Sequence, residues 1–491
     1  MRTLNRREFM AGLGAVGAGL LAACAPRIVE VEKEVLVPGE SVEVTRVVEV
    51  AVEKEVLVPQ IVEVERIAGE PSWAGADFSG REYMIWGLDY DPHAETYQRL
   101  ADRFEEYTGA RASIERQAWP IETAVITGIA AGLVPDVVCI MGKQIVPLIK
   151  EEAVLAVDDL VYDAVGADVD TWFSPVSIQA YQYGGKTWGV PTEGNCVSGF
   201  VNARLDFLAE APADIQALWP PNAGQAGFRG FDEMFALAEA LQQVDDAGNV
   251  TRWGLSSKGW DNRKLFGNMR TLGRDWWDPD NRTFALESDE AFESMRLYVT
   301  EPVFNLKIET EIQDPGTEAI MSGKTALCCG NVVMPASGRE EGIPIDSCIY
   351  PSAIPGREAL FVGEGGWGFV ALSQAANQDI AIEFLKFLST YEGQKEYSRI
   401  YGGLISSCNA VNSDDDLFPV GEVVGDALRR VAPTQPRTAY YGSDFGNPSE
   451  METIVSTAVS NVRTGTQNVA EALAEAQALL VEMLARWDAE A

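Results

Sequence analysis

Tyr83-Met84-Ile85-Trp86-Gly87-Leu88-Asp89-Tyr90-Asp91-Pro92 opens the folded part of the chain and decides its class. Tyr83 to Trp86 reads as a β-strand. A helix should follow, capped by Asp91, with Pro92 in its first turn, where a missing N–H is harmless. Tyr97, Leu100, Ala101, Phe104 and Tyr107 fall on one helical face, and Gly109 closes it. Arg111 to Arg116 is a second predicted strand, Thr123 to Ala131 a second helix and Pro135 to Ile140 a third strand. Strands and helices alternating at this spacing predict βαβ units on a largely parallel sheet. Phe231 to Val244, Ser288 to Tyr298, Asp379 to Thr390 and Ala470 to Arg486 carry further amphipathic helical patterns. The expected class is α/β. No linker interrupts residues 80–491, so two interleaved lobes are expected rather than beads on a string.

The chain has 491 residues and a formal charge of −36, with 46% hydrophobic and 23% charged residues. At roughly 150 residues per domain this is room for two or three domains. So acidic a surface repels phosphate, which argues against a nucleic-acid partner. A single histidine, His93, removes His-rich metal sites and makes a Ser-His-Asp triad a poor reading. Seven cysteines form no CxxC pair. Cys139 sits in an apolar strand as a buried thiol, and the adjacent Cys328 and Cys329 would close only a strained ring. No metal or cofactor is called for.

The amino terminus reads as an address. Arg6-Arg7-Glu8-Phe9-Met10 precedes an apolar stretch, Ala11 to Ala23, too short to span a bilayer comfortably, which ends in Leu21-Ala22-Ala23-Cys24. This resembles a twin-arginine export signal joined to a lipoprotein box. The resemblance implies cleavage before Cys24 and lipid on its thiol, hence an extracytoplasmic body tethered to the membrane, in a periplasm or on the outer cell surface. Residues 25–76 differ in composition, rich in Val and Glu. Val31-Glu32-Lys33-Glu34-Val35-Leu36-Val37-Pro38 recurs unchanged as Val52-Glu53-Lys54-Glu55-Val56-Leu57-Val58-Pro59. Its alternation suits an extended spacer, its 21-residue period a short self-associating coil, and the prolines interrupt both.

Further along, the motif order resembles a known family. It is carried by Ile85-Trp86, by Gly132-Leu133-Val134-Pro135-Asp136-Val137-Val138, and by Tyr183-Gly184-Gly185-Lys186-Thr187-Trp188-Gly189-Val190-Pro191. Val201-Asn202-Ala203-Arg204-Leu205, Met321-Ser322-Gly323-Lys324-Thr325-Ala326-Leu327 and Gly365-Gly366-Trp367-Gly368 follow in order. Together they are similar to the carbohydrate-type, maltose-binding-like extracellular solute-binding proteins of ABC importers. The resemblance implies a two-lobed periplasmic-binding-protein fold joined by hinge crossings. It places lobe 1 at 77–190 and 366–404 and lobe 2 at 191–365 and 405–491. It also implies permease subunits as partners and no catalysis.

Candidate ligand residues follow from chemistry and position. A sugar needs flat rings to stack on and charged or amide groups for its hydroxyls. Trp86, Asp89 and Tyr90 lie near the end of the first strand, Trp119 after the second, and Met141 with Gly142 at the end of the third, where open α/β sheets bind ligands. Glu193 and Asn195 follow the first implied crossing, and Gly366 and Trp367 mark another. Trp260-Asp261-Asn262-Arg263 sets an aromatic beside three polar groups. Asn331 follows a strand, but Val332, Val333 and Met334 stand where the family carries a stacking aromatic. Tyr440 completes the set; with Tyr441 it also offers a ferric-iron reading, which no neighbouring histidine supports. Tryptophan with carboxylate could equally hold a polyamine through cation–π contact. The amides and Arg263 suit a sugar or polyol better. A surface-anchored glycan-acting enzyme using two carboxylates, and a sensor sharing the fold, stay open as alternatives.

Overall fold

The computed structural model describes residues 70–194, 199–310, 316–331 and 333–489. The export signal, Cys24, almost all of the spacer, Asn195 and Val332 lie outside the described residues. The strands that matter here are β1 (Glu82–Leu88), β2 (Arg111–Gln117), β3 (Val137–Met141), β4 (Val190–Pro191), β5 (Phe200–Arg204), β6 (Gln243–Val244), β7 (Val250–Ser256), β8 (Thr325–Gly330), β9 (Ile345–Ile349), β10 (Phe361–Gly363), β11 (Trp367–Ala371) and β12 (Thr438–Tyr440). Two five-stranded sheets carry the fold, in the orders β2-β1-β3-β11-β4 and β9-β5-β8-β7-β6.

Both are mixed rather than largely parallel. In the first, β1 pairs in parallel with β2 and β3, whereas β11 runs antiparallel to β3 and β4. In the second, β8 is parallel to β7 but antiparallel to β5, which also pairs antiparallel with β9. The chain crosses from the first sheet to the second between β4 and β5. It returns through Glu364 to Gly366 into β11, which enters its sheet from the side opposite to β3. That return reverses the strand direction.

Burial explains the strand patterns. β3 is buried at every position, and β1, between β2 and β3, buries Tyr83, Ile85, Trp86 and Gly87. Central strands covered on both faces read as apolar runs; β2, at the edge, alternates. Helix α1 (Asp91–Thr108) buries Tyr97, Leu100, Ala101 and Phe104 and ends on Gly109 at φ 72°. Asp91 is not its cap. Tyr90 holds that position without a side-chain bond, and the Asp91 carboxylate instead accepts from Arg116 at 2.7 Å. Phe104 packs against Trp73, Tyr83 and Phe384; truncating so buried a ring costs about 3–5 kcal/mol. Trp73 also donates to Glu383 at 2.6 Å, so the folded body reaches back a few residues ahead of Asp77.

In the second half, α2 (Phe231–Leu241) ends three residues before Val244, which joins β6 instead. α3 (Asp261–Leu272) follows β7. α4 (Asp289–Met295) is capped by the Ser288 hydroxyl and continues as a wider π-type turn over Arg296–Asn305. The closing helices α5 (Pro448–Arg463) and α6 (Val469–Ala489) pack over Trp276, Trp277, Phe284 and Phe445. The described cysteines 139, 328, 329, 348 and 408 are free and buried. Burial pushes the Cys328 and Cys408 thiols up to about 12. Among the described residues no helix is long and apolar enough to cross a membrane.

Candidate functional site

An aromatic wall forms where β1, β2, β3 and β11 meet the same end of the first sheet. Trp119, just after β2, is 49% exposed, and Tyr90, just after β1, is 48% exposed. Such exposure leaves both rings open to a ligand. Trp367, the first residue of β11, pairs with Met141 of β3, which sets its ring beside theirs. Its centroid is 6.1 Å from Trp119 and 4.7 Å from His93. His93 in turn lies 6.1 Å from Tyr90 and 6.0 Å from Tyr401. Burial lowers His93 to about 4, so at neutral pH it is an uncharged ring behind the wall. Asp89 pairs with Arg116 at 2.5 Å at the rim.

Below the wall lies a buried ionic cluster. The Lys143 ammonium, two residues past β3, sits 5.8 Å from the Trp119 ring and 2.7 Å from both Glu364 and Glu452. Arg263, in the first turn of α3, pairs with Glu364 and reaches Glu452 at 3.4 Å. Lys143, Glu364 and Arg263 are almost fully buried. Burial alone would raise the Glu364 carboxyl, but the Arg263 and Lys143 charges win and hold it well below its usual range. Glu452 goes the other way, because burial and the Glu364 charge both push it up. Burial opposes the Lys143 charge, yet the two glutamates outweigh it and raise that group.

Glu193 stands at the crossing after β4. Burial pushes its carboxyl up to about 7, and it accepts from the Trp367 N–H at 3.3 Å. Gly366 is required here. Its φ is +72°, and a Cβ would lie 2.8 Å from the Glu193 carbonyl oxygen.

The other sheet contributes an edge of its own. Trp260 follows β7 and caps α3 at φ 50°, packed close to Gly330 at the end of β8. Asp261 accepts from the Tyr298 hydroxyl. The Asn331 side chain closes a turn onto the Val333 N–H at 3.1 Å, and its carbonyl accepts from Asn202.

Of the residues singled out from sequence, Tyr90, Trp119, Met141, Glu193, Gly366 and Trp367 gather at one edge, with Asp89 at its rim. Trp260, Asp261 and Asn331 belong to the second sheet's edge. Tyr440 stacks on Tyr441 at 5.2 Å and packs against core residues. Trp86 is 5% exposed in the core, its ring so close to Gly128 that a Cβ there would lie 2.6 Å away. Lys143, Glu364 and Glu452 escaped the sequence reading. Glu364 had one signal, its place directly before Gly365-Gly366-Trp367. Among the described residues no group of three His, Cys, Asp or Glu is placed to hold a metal ion.

The family model of bacterial extracellular solute-binding proteins matches residues 99–418. Among curated proteins none matches. The fold is similar to the maltose/maltodextrin-binding domain of Bdellovibrio bacteriovorus bound to maltotriose, at 16% identity and TM-score 0.62, covering 82% of this chain and 99% of that one. It is similar to the Thermus thermophilus maltotriose-binding protein, at 16% identity and TM-score 0.60, over 81% and 98%. The UgpB protein of Mycobacterium tuberculosis in complex with glycerophosphocholine superposes with TM-score 0.66 at 14% identity, over 83% and 99%. At these identities the likeness speaks for the two-lobed α/β fold. With a family model spanning most of its length, the chain belongs to the bacterial extracellular solute-binding proteins.

Proposed function

We propose that this protein binds a neutral oligosaccharide or similar polyol between its lobes and hands it to the permease subunits of an ABC importer. The observation that carries the reading is the wall of Tyr90, Trp119 and Trp367 standing above buried, charged Lys143, Glu364 and Arg263. Rings stack on the C–H faces of a sugar, while charged groups already held in place bond its hydroxyls at little ordering cost. The maltotriose found in two of the similar folds agrees with that chemistry. Residues 77–190 with 366–404 form one lobe of this reading, and 191–365 with 405–491 the other. Trp260, Asp261 and Asn331 approach the solute from the second lobe when the crossings at Glu193 and Gly366 close. Cys24 carries the lipid that tethers the body outside the membrane, and the protein performs no hydrolysis.

A thermal-shift screen tests this, because ligand bound to the native state raises the melting temperature by mass action. At least one neutral sugar or polyol should raise it, with no cleavage product after long incubation. Stabilisation by polyamines alone, or release of hydrolysis products, would overturn the reading.

A further inference from the structure

After the helix Tyr391–Ser398 the chain turns through three successive residues at positive φ: Tyr401 at 57°, Gly402 at 73° and Gly403 at 140°. Glycine takes such a backbone freely, whereas the Cβ of a large L-residue crowds its own peptide units there. Two of the three positions carry glycine, and the third keeps a tyrosine. Backbone held against its preference concentrates at ligand sites and persists only where neighbours fix it. Neighbours fix it here from two sides. The Ile405 carbonyl accepts from the Gly194 N–H at 2.8 Å, and Ser406 forms an antiparallel bridge with Glu193. Arg339, on the helix Met334–Glu341 that follows Asn331, donates to the Gly402 carbonyl at 3.2 Å.

The turn sets the Tyr401 ring against the aromatic wall. Its centroid lies 6.2 Å from Tyr90 and 6.0 Å from His93, which are themselves 6.1 Å apart. Three rings from two distant segments thus meet at nearly equal spacing. Tyr401 is only partly buried. Burial, with the Glu193 charge second, pushes its hydroxyl up, so the group stays protonated and able to donate. Among the described residues that hydroxyl has no hydrogen-bond partner. Packing alone accounts for neither the free hydroxyl nor a tyrosine at this φ.

We propose that Tyr401 is a further solute-binding residue, its ring extending the wall beside Tyr90 and its hydroxyl donating to a solute hydroxyl. The assignment deepens the sugar or polyol reading and rests on it. It also places a solute contact on the turn that leads into Ile405 and Ser406, the partners of the crossing at Glu193 and Gly194.

Calorimetric titration with maltotriose, maltotetraose and tagatose tests it in the parent, Tyr401→Phe and Tyr401→Asn. Tyr401→Phe keeps the ring and removes one hydroxyl, so it should weaken binding about three- to tenfold. Its urea midpoint should equal the parent's, because the hydroxyl bonds nothing within the protein. Tyr401→Asn suits the positive φ but lacks the ring, and should weaken binding further. Undiminished affinity in Tyr401→Phe overturns the proposal, as does a loss of stability that accompanies the loss of affinity. In either case the parent still binds sugar and the solute-binding reading stands. A parent that binds none of the three sugars counts against that reading and takes this assignment with it.

Discussion

Glu193→Gln isolates the electrostatics of the crossing. The side chain keeps its size and its oxygen, so the bond from the Trp367 N–H at 3.3 Å can persist. Only the titration is lost. In the folded protein the carboxyl is pushed from an ordinary 4.5 up to about 7, chiefly by burial, with the Glu364 charge adding to it and the Trp367 N–H and Arg263 opposing. The native state therefore holds this proton more tightly than the unfolded chain does. Its contribution to stability is full below pH 4.5 and is lost as pH rises through about 7. The difference of 2.5 units at 1.36 kcal/mol each sets a ceiling of about 3 kcal/mol. Urea unfolding followed by tryptophan fluorescence at pH 4.5, 6 and 8.5 measures it. Parent and variant should be equally stable at pH 4.5, with the variant ahead by as much as about 3 kcal/mol at pH 8.5. His93 titrates identically in both and cancels. A difference constant across this range would refute the argument that Glu193 is forced to ionise in a poorly solvated place.

His93 has the opposite sign. Lowered from 6.5 to about 4 by burial, it binds its proton less tightly when folded, so its contribution is lost as pH falls from about 6.5 to 4; imidazole resonances titrating near 6.5 would contradict this. Lys143→Met leaves Glu364 and Glu452 with Arg263 as their one remaining cation in the cluster and should cost about 3–5 kcal/mol in urea unfolding; a loss under about 1 kcal/mol would mean that water reaches the cluster. Cys24→Ser should release the protein from the membrane fraction unchanged in fold, whereas retention would point to an uncleaved anchor. Small-angle scattering should show a smaller radius of gyration at saturating solute, and no compaction would speak against hinge closure.

The fold was legible because its central elements obey simple periodicities. β1 and β3, covered on both faces, read as apolar runs, and α1 carries its buried stripe at helical spacing up to Gly109. The antiparallel entry of β11 was not legible locally, because strand direction depends on where the chain returns after the second sheet. The site divides in the same way. Trp119 and Trp367 adjoin a strand end and a glycine crossing, and the structure sets their ring centroids 6.1 Å apart. Trp86 lies buried, since a strand buried on both faces turns either alternate set of side chains into core. The ionic cluster was hidden: Lys143 and Glu452 meet across 309 positions, and no local pattern announces a pair so distant.

The central claim is that exposed rings of the first lobe hold a neutral solute. Calorimetric titration of the parent, Trp119→Ala and Trp367→Ala with maltotriose, maltotetraose and tagatose, at low and high salt, tests it most directly. The account predicts one-to-one binding of at least one of these sugars, little changed by salt, and weaker by about 0.5–1.5 kcal/mol beyond lost contact area in each variant. Binding indifferent to both substitutions, or affinity found only for polyamines and falling steeply with salt, would contradict it.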